Sequence, residues 1–220
     1  GLGGNGRLYD WEIFNNASKN SINGFSHFAI KAERDGKVLD ARILQGDYTK
    51  NYIGQPGMTF GHGIPNTTMA GFPHFRNCTF QGEYPIAKIK LDEPKFPGSV
   101  NLTAFNPFIP LNADDSGIPA AFFEYSVKNT TDSELEYIVA GTVKNPREKS
   151  VHTTHKENGF TGVTLASEKN VYGDTWYREL TIATDDSDDV AVQEYWFRGM
   201  WYDNIETYWS NFTSPGLPSP

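Results

Sequence analysis

This 220-residue chain has almost no cysteine and no concentrated positive charge. Its single thiol, Cys78, can close no intrachain disulfide and cannot build a thiolate-rich zinc site. The expectation for it is a small buried apolar residue rather than a catalytic nucleophile. Lys and Arg number 19 against 27 Asp and Glu, a formal net charge of −8. Phosphate backbones require a basic run or stripe, and none exists, so nucleic acid is not an expected partner. No apolar stretch approaches the ~20 residues that span a bilayer, so no transmembrane segment is expected. Sustained heptads and a three-residue glycine period are both missing, which sets aside coiled coil and collagen. The opening Gly1-Leu2-Gly3-Gly4-Asn5-Gly6 has neither Met nor the charged-then-apolar layout of a signal peptide, and the compartment stays open.

What the chain has is aromatic bulk and turn formers. Phe, Tyr and Trp number 15, 11 and 5, or 14% of residues, beside 21 Gly and 13 Pro. Aromatic side chains need partners to bury against, which rules out a disordered chain. Dense Gly and Pro break up long helices. Sequons at Asn16, Asn66, Asn77, Asn101, Asn129 and Asn211 arise readily in an Asn- and Thr-rich strand protein, so they point only weakly to secretion.

Period two dominates the sequence. In Phe122 to Lys128, the residues Phe123, Tyr125 and Val127 share one face, and Glu124, Ser126 and Lys128 share the other. Leu135 to Val139 follows the turn formers Asn129 to Ser133, and the two runs are expected to pair as a hairpin. Further strands are expected at 25–32, 37–44, 84–91, 99–105, 159–167, 176–184 and 190–197. The breaks between them carry Asp35-Gly36, Glu93-Pro94, Pro97-Gly98, Gly173-Asp174 and the cluster Asp185 to Asp189. Short strands at regular spacing imply an all-β fold, a large antiparallel β-sandwich. A short helical turn is expected near Asp203. Residues 51–75 mix Gly and Pro with Tyr52, Met58, Phe60, Phe72 and Phe75, the composition of a long ordered loop.

Candidate chemistry is sparse. Asp10 with Glu12, Asp114-Asp115 and the Asp185 to Asp189 knot are the carboxylate groupings. A glycosidase needs two carboxyls about 5 Å apart for retention, or 6.5–9.5 Å for inversion. Sequence neighbours on a strand point to opposite faces, so none of these forms a fixed pair. The Asp185 to Asp189 knot reads as a solvated hairpin tip, and its spacing does not match an EF-hand loop. His152 and His155 read as an exposed pair with no third ligand, and no metal or cofactor is expected. Phosphate loops and the G-x-S-x-G elbow are absent. Trp196, Trp201, Tyr202, Tyr208 and Trp209 offer flat faces to a sugar, but core or interface packing is the commoner fate of such residues.

Four ordered stretches stand out: Gly6-Arg7-Leu8-Tyr9-Asp10-Trp11-Glu12-Ile13-Phe14-Asn15, Phe28-Ala29-Ile30-Lys31-Ala32, Phe80-Gln81-Gly82-Glu83-Tyr84-Pro85-Ile86-Ala87 and Leu102 to Pro110, the last continuing into Asp114-Asp115-Ser116-Gly117-Ile118-Pro119. Together they resemble the amino-terminal domain of glycoside hydrolase family 116. That family holds non-lysosomal glucosylceramidases and bacterial β-glucosidases. The resemblance implies a β-sandwich over residues 1–212 and a linker-like tail over 213–220. The tail would lead to an (α/α)6 helical catalytic domain of the same polypeptide. In the family, the nucleophilic glutamate and the acid/base aspartate belong to that helical domain. No catalytic residue is therefore carried over, and this chain is expected to be inactive alone. A glucoside or glucosylceramide-like substrate would reach it only through the helical domain.

An inter-domain face typically covers about 600–1,500 Å² and would be rich in aromatics. The candidates for a domain-interface or sugar-proximal role are Trp11, Phe14, His62, Phe72, His74, Trp201 and Trp209, with the 57–75 loop. Two other readings stand beside this one. One is a free-standing carbohydrate-binding module. The other is a mutarotase-like epimerase, for which His62, His74 and Glu83 are the residues of interest. Fold alone does not choose among the three.

Overall fold

The computed structural model describes residues 1–9, 25–48, 66–145, 147–157, 159–173, 177, 179–201 and 203–218. Among them, ten strands form three antiparallel sheets, and helix is scarce. The strands are β1 (His27–Arg34), β2 (Lys37–Ile43), β3 (Asn77–Glu83), β4 (Ile86–Asp92), β5 (Gly98–Phe105), β6 (Phe122–Asn129), β7 (Glu136–Thr142), β8 (Ser150–Glu157), β9 (Phe160–Ser167) and β10 (Leu180–Thr184). Two helices, α1 (Ala113–Ser116) and α2 (Asn204–Phe212), complete the set with a short 3-10 turn at Asn66–Thr68. The all-β sandwich expected from the period-two runs is the observed fold class.

Two compact units can be distinguished. The first comprises Gly1–Ala32 and Leu39–Thr142. Its sandwich faces the sheet β2-β1-β7 with the sheet β3-β4-β5-β6. Ile30 and Ala32 of β1 meet Ile89 and Leu91 of β4 and Val100, Leu102 and Ala104 of β5, with Phe75 and Phe96 filling the same core. Each fully buried Ile, Leu or Val contributes roughly 1.5–3 kcal/mol by leaving water. Ring contacts tie the layers together: Phe28 lies 5.2 Å from Phe123 and 5.1 Å from Tyr125. The second unit comprises Glu33–Val38 and Val143–Pro220, and holds the sheet β10-β9-β8 with α2.

Local chemistry explains several elements. Asp35 (φ 53°) and Gly36 (φ 69°) make the two-residue turn between β1 and β2, both in the left-handed conformation that tight hairpins demand. The alternation of β6 is as read, with Phe123, Tyr125 and Val127 packed on the core. Gly46 sits so close to Cys78 that a Cβ there would lie 2.4 Å from the Cys78 Cβ, which is why glycine fits. Cys78 itself is half-buried, its thiol donating to the Gly4 carbonyl at 3.4 Å. Burial raises its pKa, the opposite of what an activated nucleophile needs.

Three expectations require correction. The hairpin between 122–128 and 135–139 does not form. β6 pairs with β5, from Phe122↔Phe105 to Asn129↔Gly98, whereas β7 lies beside β1 in the other sheet. The connection therefore crosses between layers. Alternation fixes which face of a strand is buried, but either layer of a sandwich satisfies it. Asn129 shapes the crossing, donating to the Ser133 carbonyl at 2.7 Å and accepting from the Thr131 amide at 2.8 Å. Second, residues 190–197 form no strand. Glu194 instead binds β8 through its side chain, accepting from the Thr154 amide at 3.0 Å and the Thr154 hydroxyl at 2.6 Å. Third, β3 and β8 were not foreseen. Asn77–Glu83 carries few β-branched residues, and Ser150–Glu157 is mostly exposed and polar. The helical turn near Asp203 is observed as α2, with Asp203 at its N-cap.

Candidate functional site

A polar cluster gathers the only described histidine among the sequence-predicted site residues. β2 presents Asp40 and Arg42 two residues apart, and so on one face. Arg42 Nε donates to Asp40 Oδ2 at 2.7 Å, and its Nη1 donates to the His74 carbonyl at 2.7 Å. The same guanidinium lies 3.9 Å from Glu93 Oε2, and Arg76 Nε approaches that oxygen to 3.2 Å. Glu93 is the residue of the Glu93-Pro94 break, and its side chain is only 1% exposed. His74 Nδ1 donates to the Phe72 carbonyl at 2.8 Å, and its Nε2 faces Asp47 Oδ1 at 3.2 Å.

Burial works against the Glu93 carboxylate. The Lys95 amide, the Arg42 and Arg76 guanidiniums and the Arg76 amide more than offset it, and the pKa falls below the usual glutamate value. Beside it, hydrogen bonds from Lys90 and Ser99 lower Asp92 as well, partly opposed by burial. Both carboxylates line an open depression of about 240 Å³ that also touches Asn77, Phe96, Ser99 and Thr130. A glycosidase acid needs a raised pKa, so this pair holds its charge where proton donation would need the neutral form. The arrangement ties β2, the β4–β5 turn and the entry to β3 together.

The predicted residues come together only in part. Phe72 and His74 are half-buried beside this cluster. Glu83 stands at the far end of β3, a strand spanning about 20 Å at ~3.3 Å per residue, so no His74–Glu83 site is assembled. Trp11, Phe14 and His62 lie outside the described residues, as do residues 57–65 of the 57–75 loop. Trp201 is 79% exposed. Trp209 is half-buried on α2, its ring 5.8 Å from that of Phe212. Trp196 stacks on Tyr208 at 4.4 Å, so packing among aromatics accounts for it. His152 is hydrogen-bonded rather than free for a metal: Nδ1 donates to the Glu194 carbonyl at 2.5 Å, and Asn145 donates to Nε2 at 3.2 Å. The Asp185 to Asp189 segment is largely exposed, with Ser187 Oγ accepting from the Gly159 amide at 3.2 Å.

The family described as beta-glucosidase 2, glycosyl-hydrolase family 116 N-term, matches residues 1–218. The chain belongs to this family. No curated protein matches it. The family-116 amino-terminal match spans both compact units and every stretch from which the resemblance was read. Sequence reasoning missed Arg42, Arg76 and Glu93. The available signal was the Asp40-x-Arg42 spacing, which puts opposite charges on one face of a strand.

Proposed function

We propose that residues 1–212 are the non-catalytic β-sandwich of a retaining β-glucosidase- or glucosylceramidase-like enzyme. Residues 213–220 would lead towards an (α/α)6 domain on which the sandwich packs. The observation that carries this reading is the family-116 amino-terminal match over residues 1–218. The local chemistry supports it, because the carboxylates bordering the described depression are committed to structural bonds and held ionised. The role of the sandwich is then to support a sugar site built elsewhere.

The test compares hydrolysis of a chromogenic β-glucoside by residues 1–220 and by the full polypeptide that carries them. Turnover is expected only from the full polypeptide. Turnover by residues 1–220 alone would overturn the reading, and so would a full polypeptide inert on β-glucosides.

A further inference from the structure

An apolar cluster covers one end of the four-stranded sheet. The register places Ile86, Phe105 and Phe122 side by side on adjacent strands. All three occupy the face opposite the core residues Ile89, Leu102 and Phe123. Phe105 and Phe122 stack at 5.1 Å, and Tyr84 meets Phe108 edge-on at 5.1 Å. Tyr84, Phe108, Ile109, Ile118 and Phe122 are 81%, 43%, 49%, 50% and 48% exposed, and Leu111 is fully so.

The loop between β5 and β6 is stapled in place while holding these side chains in water. Asn106 donates to the Ala120 carbonyl at 2.7 Å. Ser116 Oγ accepts from the Ile109 amide at 2.9 Å and donates to the Ile109 carbonyl at 3.0 Å. Asn112 caps α1 by accepting from the Asp115 amide at 3.1 Å. Within this frame Leu111 has φ 67°, a left-handed conformation that costs a non-glycine residue about 1–2 kcal/mol. Such strain persists only where the surrounding structure imposes it, and it clusters at functional positions.

We propose that this end of the sheet, centred on Leu111, Tyr84 and Phe122, is the surface that docks on a further domain of the same polypeptide. The inference rests on the reading above and supplies the place of contact. Ile86 is exposed as well, so seven large apolar side chains stand in water on this end of the sheet and its loop, and exposed apolar clusters of this kind mark interaction sites. Glu83, Asp114, Asp115 and Glu124 flank the patch, with Lys88 as the nearby cation on the same sheet face. Its complement is an apolar surface rimmed by Lys and Arg. A second copy of this chain, with net charge −8, would set acid against acid.

Hydroxyl-radical footprinting of residues 1–220 and of the full polypeptide tests the proposal. Tyr84, Phe108 and Phe122 are expected to lose labelling several-fold in the full polypeptide. Leu111→Asp, at a site with no buried contacts, should restore most of that labelling while circular dichroism stays unchanged. Equal labelling of the patch in both proteins would overturn the proposal. So would protection that develops when residues 1–220 alone are concentrated, because the occupant would then be a second copy. β-Glucosidase activity in the same samples separates the two readings. An active enzyme with an unprotected patch sinks this inference alone, whereas an inert one sinks the reading beneath it.

Discussion

Both carboxylate oxygens of Glu33, near the end of β1, accept the backbone amide of Gly216, at 3.1 and 2.9 Å across 183 residues of sequence. Glu33 is buried. A segment with linker composition is thereby fastened at one amide to the second compact unit. A hydrogen bond to a charged group contributes about 1.5–3 kcal/mol. Glu33→Gln keeps the shape and removes the charge. Gly216 is expected to exchange its amide hydrogen several-fold faster in that variant, as measured by hydrogen exchange. An unchanged rate would show that the carboxylate does not hold the tail.

The two arginines on Glu93 differ in burial, and their loss should differ accordingly. The Arg42 side chain is 11% exposed and that of Arg76 66%. Removing a buried partner leaves an uncompensated charge, so Arg42→Ala is expected to cost about 3 kcal/mol. Arg76→Ala is expected to cost at most about 1 kcal/mol, because solvent screens it. Urea unfolding with unchanged slope gives both numbers. Equal losses would contradict the expectation drawn from burial.

Stability should decline on the acid side well before the carboxylates titrate. Burial lowers the His27 pKa from 6.5 to about 4, only partly opposed by its hydrogen bond to the Phe25 carbonyl. The folded state therefore prefers neutral His27, and the unfolded chain binds the extra proton first. Its contribution is intact above pH 6.5 and is lost as pH falls from 6.5 towards about 4, up to roughly 3 kcal/mol in all. Glu93 and Asp92, whose pKa values are lowered, add a second loss below the usual carboxylate range. Denaturant unfolding between pH 7 and 4.5 reads the first loss, and an NMR titration assigns it to His27. A flat profile over that window would refute it.

Tyr125 is the opposite case, a hydroxyl whose removal should help. Its Oη is buried with no hydrogen-bond partner among the described residues, and burial raises its pKa. The ring still packs on the core cluster and on Phe28. Tyr125→Phe keeps that packing and deletes the unsatisfied group. The expected outcome is a neutral to about 1 kcal/mol stabilising change in thermal unfolding. A loss above that size would mean the hydroxyl has a partner.

The period-two pattern in the sequence determined that the chain is a strand protein and which side of β6 faces inward, because alternation reports burial of one face directly. Its ordered stretches also determined the family. Sequence could not choose the neighbour of β6 or β7, since either layer of a sandwich offers the same apolar face. Nor could it show that β1 is buried on both faces. Phe28, Ile30 and Ala32 belong to the sandwich core, while His27, Ala29, Lys31 and Glu33 are at most 4% exposed on the other side. Lys and Glu are almost never fully buried unless paired. Glu33 is buried where it accepts the Gly216 amide, an approach across 183 residues that only the tertiary structure makes. The Arg42–Glu93 tie has the same origin, since it joins residues whose proximity no local spacing encodes.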